Sequence, residues 1–299
     1  MLKQPRVPAR LQALSVVVII VALIIAAIVV SSSGALPLYS EAEVNTPPDA
    51  YPAPLSELPP PDVELAAEMT TFSACTGPGC RVFLPMTHKS VAAPVTTGPS
   101  TRLPSGDACK ALIRRSTWEP RPDNNDENRY VARAGADYKA QPWGGTDPRV
   151  ETLILPRVDG NFVGTTDEII QWGACKWGFH PDLVRAIATQ ESSWRMSTVG
   201  DNGQSFGLMQ IKQTAHGGTY PASAKSTAFN VDYALAWRRA CYEGYLTYMK
   251  ERNSRYRAGD EWGCVGAWYS GNWYDSGAKA YIGRVWEHYK ARTWLKPGF

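Results

Sequence analysis

The sequence predicts a mainly α-helical domain carried behind an N-terminal transmembrane helix and a Pro-rich linker. Three observations point there. The run Ala13 to Val30, ALSVVVIIVALIIAAIVV, holds 18 residues without a charge. Thirteen of the 23 Pro lie between Pro37 and Pro104, whereas all eleven Trp lie from Trp118 onward. From Thr166 the apolar residues recur with a helical period, and no alternating run of useful strand length interrupts them.

The apolar run is long enough to span a bilayer. Lys3, Arg6 and Arg10 precede it, and the first charges after it are Glu41 and Glu43. The positive-inside rule therefore puts the N-terminus in the cytoplasm and residues 35–299 outside. A cleaved signal peptide is the rival reading, because Ser33-Gly34-Ala35 is a small-residue site. The run exceeds the apolar core of about 7–15 residues usual in such peptides, which favours an uncleaved anchor. The expected organisation is a cytoplasmic tip and signal-anchor over 1–35, a linker over 36–107, an N-terminal extension of the globular part over 108–165, and the helical domain over 166–299. Pro47-Pro48, Pro52-Ala-Pro54 and Pro59-Pro60-Pro61 favour extended chain in the linker, which suits a spacer.

Hydrophobic residues are 44% of the chain and charged ones 20%, which excludes disorder throughout. With 31 basic and 28 acidic residues the net charge is +3, and no clustered basic face calls for nucleic acid. The six Cys are even in number and fall in a compartment expected to be oxidising, so disulfides are the first reading. We expect Cys241–Cys264 to link a helix to a loop and Cys75–Cys80 to close a tight turn, leaving Cys109–Cys175 by elimination. No C-x-x-C occurs and His88, His180, His216 and His288 are scattered, so no metal site is expected. GxGxxG, P-loop, HExxH and GxSxG motifs are absent, and no cofactor is expected.

The helices follow in order. Asp167 and Glu168 suit a first turn, ahead of Ile169, Ile170 and Trp172. Pro181 suits the first position of the next helix, and Asp182 complements its N-terminus. Val184, Ile187, Ala188 and Glu191 share one face of it, which leaves Arg185 on the solvent side. Glu191 thus ends an apolar stripe, with Trp194 one turn on if the helix persists. A carboxyl held among apolar and aromatic groups is desolvated, its pKa rises, and it is able to donate a proton near neutral pH. Gly200 to Gly207 reads as a Gly- and Asn-rich loop. Asp201 within it is an ordinary turn residue or a second carboxylate. Gln210 interrupts a short apolar run and needs a partner or a ligand. Asn230 to Leu246 and Tyr281 to Tyr289 read as later helices.

These pieces resemble the soluble-type lytic transglycosylases, within the lysozyme-like superfamily. Glu191-Ser192 behind Pro181-Asp-Leu-Val-Arg-Ala-Ile-Ala resembles that family's catalytic Glu-Ser helix. Gly207-Leu-Met-Gln210-Ile resembles its Gly-Leu-Met-Gln motif, and Tyr281-x-x-x-Val285-x-x-x-Tyr289 its closing helix. Asn230 stands where the family opens a helix with Asn. The resemblance covers about residues 166–292. One segment departs from it: Ala267-Trp268-Tyr269-Ser270-Gly271 stands where the family has Ala-Tyr-Asn-x-Gly, so the usual Asn is missing.

The resemblance implies a lysozyme-like helical fold and cleavage of the β-1,4 bond between N-acetylmuramic acid and N-acetylglucosamine in peptidoglycan, leaving 1,6-anhydro ends. Glu191 is then the catalytic residue. Ser192, Ser205, Gly207, Met209, Gln210, Trp268, Tyr269 and Tyr281 are the expected substrate-binding residues. Peptidoglycan glycan strands are the expected partner, with the membrane held through the N-terminal helix and no nucleic acid involved. A hydrolytic muramidase, or a wall-binding module without turnover, are the alternatives.

Overall fold

The computed structural model describes residues 97–299. The apolar run 13–30, the linker up to residue 96 and the expected Cys75–Cys80 pair lie outside the described residues. Among the described residues no helix is long and apolar enough to cross a membrane.

The described chain is mainly helical. A short helix α1 (Gly106–Lys110) and a second, α2 (Asn125–Arg129), precede single helical turns over 150–157. The longer helices follow: α3 (Thr166–Trp177) and α4 (Pro181–Ser192). A small antiparallel sheet comes next, of β1 (Val199–Gly200), β2 (Ser205–Phe206) and β3 (Ile211–Lys212) in that order. Then come α5 (Ala222–Lys225), α6 (Thr227–Tyr242), α7 (Thr247–Arg252), α8 (Glu261–Ser270) and α9 (Ser276–Ala291). The loop expected at Gly200 to Gly207 is therefore a hairpin. Each strand is only two residues long, too short to show as alternation.

Local sequence explains the starts and stops. Thr165 and Glu168 form a reciprocal capping box at α3, and Gly178 ends that helix at φ 72°. Pro181 takes the first position of α4, and the ring Nδ1 of His180 accepts the Asp182 amide N–H. α4 stops at Ser192 because Ser193 and Trp194 both turn left-handed, at φ 50° and 62°. Trp194 thus leaves the helix; its indole N–H donates to the Arg185 carbonyl at 3.0 Å.

α6 is the axis of the domain, buried along its whole length. α3 lies against it so closely that a Cβ on Gly173 would sit 2.6 Å from Val231 Cγ1. A helix buried on all sides must satisfy any charge it carries. Asp232 does so by accepting from Lys176 at 2.8 Å, from the Trp177 indole at 2.7 Å and from the amides of Asp159 and Gly160. Arg239 donates to Glu243 and to the carbonyls of Thr97 and Gly98. The chain is thus already docked at Thr97, inside the stretch assigned to the linker.

Arg185 is buried rather than on the solvent side of α4. It donates to Asp167 of α3 at 2.7 Å and to Asp182 one turn back at 2.7 Å. Periodicity assigned it outward because its Asp167 partner comes from another helix. Removing one member of such a buried set typically costs about 3–5 kcal/mol, because a charge is left unpaired.

Two disulfides tie the elements together. Cys109–Cys175 joins the extension at α1 to α3, as expected by elimination, and Cys241–Cys264 joins α6 to α8. The second therefore links helix to helix, where helix to loop was expected. The extension also clamps the exit of α4. Arg121 Nε donates to the Ser193 carbonyl at 2.7 Å. The Asn124 side chain bridges the Trp194 carbonyl at 2.6 Å and the Met196 amide at 2.9 Å. These bonds hold the left-handed turn that follows Glu191.

Candidate active site

Glu191 is the penultimate residue of α4. α9 packs along α4 and α8, and brings Tyr281 over that helix end. The Tyr281 hydroxyl donates to Glu191 Oε1. The Tyr269 ring of α8 stacks on Tyr281, with centroids 5.0 Å apart and 11° between planes. The Trp268 indole N–H donates to the Met209 carbonyl at 3.3 Å, and its ring lines the same cleft as Glu191. Beneath Trp268 lies the buried Arg238 guanidinium, 4.7 Å from the ring centroid. The carboxyl thus sits between aromatic rings from α8 and α9.

Glu191 keeps part of its surface on a cleft, yet the protein packed around the carboxyl strips it of water. Desolvation raises its pKa from the ordinary 4.5 to about 7. The Tyr281 hydrogen bond and the Arg238 charge oppose that rise without cancelling it. The cleft is a cavity of about 410 Å³, which Asp201, Ser205, Gln210, Trp268 and Tyr269 line with Glu191. Asp201 sits in the hairpin at φ 50° and is solvent-exposed. Ser205 Oγ donates to it at 2.8 Å and Lys212 Nζ lies 3.1 Å away. These contacts hold its pKa below the ordinary value. One cleft therefore presents an acid protonated near neutral pH and a carboxylate that stays ionised.

The Gly207 to Ile211 turn is built from behind by Asn230. Its side chain accepts the Met209 amide at 2.7 Å and donates to the carbonyls of Phe206 and Ser223. Gly207 is at φ 76°, and a Cβ there would meet Asn230 Nδ2 and the Ser223 carbonyl. Gln210 donates to the carbonyls of Thr198 at 3.0 Å and Gly207 at 2.8 Å, so its amide fastens the hairpin while its side chain borders the cleft.

Of the residues expected to bind substrate, Ser205, Gln210, Trp268 and Tyr269 line the cleft with Glu191, and Tyr281 bonds to Glu191 directly. Ser192, Gly207 and Met209 do not line it. The Ser192 hydroxyl is turned to the Leu208 carbonyl at 2.8 Å, and Met209 is fully buried. These three brace the floor. No Asn side chain lines the cleft, as the departure at 267–271 implies.

A larger cavity of about 790 Å³ adjoins the first and shares Gln210, Lys212, Trp268 and Tyr269 with it. It does not contain Glu191. Its far wall is Gln141 to Gly145, from the extension. Sequence reasoning missed that wall, together with His216 and Arg238; the only signal was the Pro-Trp-Gly-Gly run at 142–145. Among the described residues no group of His, Cys, Asp or Glu is placed to hold a metal ion.

Residues 168–282 match the family model described as the transglycosylase SLT domain. That stretch is therefore similar to the soluble lytic transglycosylases, in agreement with its motifs, and it contains Glu191, Gln210, Trp268 and Tyr281. At the level of the family the match supports a lytic-transglycosylase type of action on peptidoglycan. The mainly helical fold is consistent with a lysozyme-like domain. No curated protein matches the chain.

Proposed function

We propose that the chain is a peptidoglycan lytic transglycosylase that cleaves the β-1,4 bond between N-acetylmuramic acid and N-acetylglucosamine. Glu191, whose pKa of about 7 keeps a protonated fraction at neutral pH, donates its proton to the bridging oxygen as that bond breaks. Positive charge then develops at the anomeric carbon of the muramic sugar. Glu191, now a carboxylate, accepts the proton of the same sugar's 6-hydroxyl, whose oxygen closes the 1,6-anhydro ring. Tyr281, Trp268 and Arg238 stabilise the carboxylate between the two transfers.

The single observation that carries this reading is a desolvated Glu191 with its pKa near 7, opening on the cleft of a domain that matches the SLT family. Hydrolysis is the second reading, because the ionised Asp201 lines the same cleft and a hydrolase generally uses two carboxylates. Against it, Asp201 is occupied by Ser205 and Lys212. Mass analysis of the soluble products from purified peptidoglycan decides between them. The proposal expects anhydro ends, lighter by one water than the reducing ends a muramidase leaves. Release of nothing, with the wall still bound, would make the domain a binding module.

We further propose that this action takes place outside the cytoplasm, from a membrane anchor over residues 13–30. The two disulfides support an oxidising compartment. N-terminal sequencing of the mature protein that begins at Leu36 would make it secreted instead.

A further inference from the structure

We propose that Asn124 and Arg121, in the extension ahead of the helical domain, are positioning residues that hold Glu191 at its place in the cleft. This rests on Glu191 being the catalytic acid, and adds what keeps that acid in register with its partners.

The backbone that leaves α4 is costly to form. Ser193 and Trp194, the two residues after the helix, stand left-handed at φ 50° and 62°. That region is disfavoured for residues with a Cβ, and most of all for one as bulky as Trp. Two such residues in a row persist only where their surroundings over-determine them. Three of the bonds that do so come from outside the family-matched stretch.

Asn124 is 1% exposed and commits both ends of its amide to this turn. Its Nδ2 donates to the Trp194 carbonyl and its Oδ1 accepts the Met196 amide. The same Nδ2 donates to Thr166 Oγ1 at 3.0 Å, which fixes Asn124 to the start of α3. Arg121 Nε donates to the Ser193 carbonyl, and its guanidinium lies 4.2 Å from the Phe299 ring centroid. Phe299 and Trp118 both pack against the Trp194 ring, with centroids 5.4 and 5.8 Å away. The turn is thus held at both its carbonyls and at its one large side chain.

This turn joins two parts of the site. On its near side the Ser193 and Trp194 amides donate to the carbonyls of Thr189 and Ala188, closing the last turn of α4, which carries Glu191. On its far side the Thr198 carbonyl accepts from the Gly207 amide and the Gln210 side chain, so the chain passes directly into the hairpin that borders the cleft. A relaxed turn would free the end of α4 and let Glu191 shift against Tyr281 and the hairpin. A misplacement of about 1 Å at a reacting group costs up to about a hundredfold in rate. Asn124 and Arg121 therefore act on the reaction through Glu191, without touching substrate.

Steady-state kinetics on soluble peptidoglycan fragments and NMR titration of the Glu191 carboxyl test this on the full-length protein. Asn124→Ala should lower kcat about 10- to 100-fold while KM changes less than about threefold. It should also bring the Glu191 titration down from about 7 by about one unit, because a loosened helix end admits water to the carboxyl. The groups that face Glu191, which are Tyr281 from α9, Trp268 from α8, Arg238 from α6 and Asp201 from the hairpin, are unchanged in this variant, so that fall reports solvation. Arg121→Ala should lower kcat about threefold to tenfold, and Arg121→Lys, which keeps a donor, should recover part of it. Ser193→Gly, which takes φ 50° without a Cβ, should return part of the kcat lost in Asn124→Ala. Val150→Ala, a buried truncation elsewhere in the extension, should lower the urea midpoint yet leave kcat and the Glu191 titration unchanged. Unchanged kcat in folded Asn124→Ala, a Glu191 that still titrates near 7 there, or an equal kcat loss in Val150→Ala would overturn the proposal. Where Asn124→Ala does not fold, the two Arg121 variants carry the same readouts. If Glu191→Gln retains turnover, the catalytic reading fails, and the titration still decides whether the extension holds this carboxyl.

Discussion

Glu191 and Asp201 stand ten residues apart and line one cleft, yet their surroundings drive them to opposite charge states. Glu191 ends a buried helix beside Tyr281 and Trp268, and the protein packed around its carboxyl desolvates it although it still borders the cleft. Asp201 sits at the tip of a hairpin, open to solvent and neutralised by Lys212. The difference teaches that the role of a carboxylate here is set by the element that carries it. A helix end buried under aromatic rings makes an acid, and an exposed turn makes a permanent anion.

The largest expected effect separates the two by turnover. Glu191→Gln should lower the rate by about 10²–10⁴-fold or more, since an amide neither donates nor accepts the required proton. Asp201→Asn should change it only a few-fold. Initial rates of release from purified peptidoglycan measure both, and equal losses would erase the comparison.

Stability should separate them next. The folded-state pKa of Glu191 lies above its unfolded value, so its contribution is fully present below about pH 4.5 and is lost as pH rises through about 7. Glu191→Gln escapes that loss. The variant should match wild type near pH 4 and exceed it above pH 8 by up to about 3 kcal/mol in urea unfolding. Asp201 has its pKa shifted the other way, so its stabilisation is present above the ordinary aspartate pKa and lost on acidification. At that exposed ion pair, Asp201→Asn should cost only about 0–1 kcal/mol at neutral pH.

Tyr281→Phe sharpens the comparison further. It removes a donor that favours the Glu191 anion, so the Glu191 pKa should rise and the alkaline limb of kcat/KM should move to higher pH. Lys212→Ala should leave that limb in place, because Lys212 acts on Asp201. The pH profiles of the two variants check this, and a limb that follows Lys212 would shift the acid's role to the hairpin.

The helical half of this contrast was legible in the sequence and the other half was not. Pro181 and the stripe through Val184, Ile187 and Ala188 announced α4 and put Glu191 at its buried end, because caps and periods are local signals. The start of α6 was read at Asn230, three residues late; Ser226 caps it, and its hydroxyl accepts the Phe229 amide. Arg185 was misread because a charge counts as outward until a partner arrives from elsewhere, here Asp167. The hairpin was missed because its strands are only two residues long, whereas the wall at Gln141 to Gly145 depends on pairing between distant segments. The bond from Gln141 to Gly217 spans two stretches with no shared period, so no local pattern foretells it.

The account stands most directly on the proton held by Glu191. A carbon-detected NMR titration of the carboxyl-labelled protein, compared with the Glu191→Gln variant, reads that proton. The account predicts one glutamate carboxyl that titrates near pH 7 and vanishes in the variant, while Asp201 titrates below the ordinary aspartate value. A Glu191 carboxyl that titrates near 4.5, like a solvated glutamate, would contradict it.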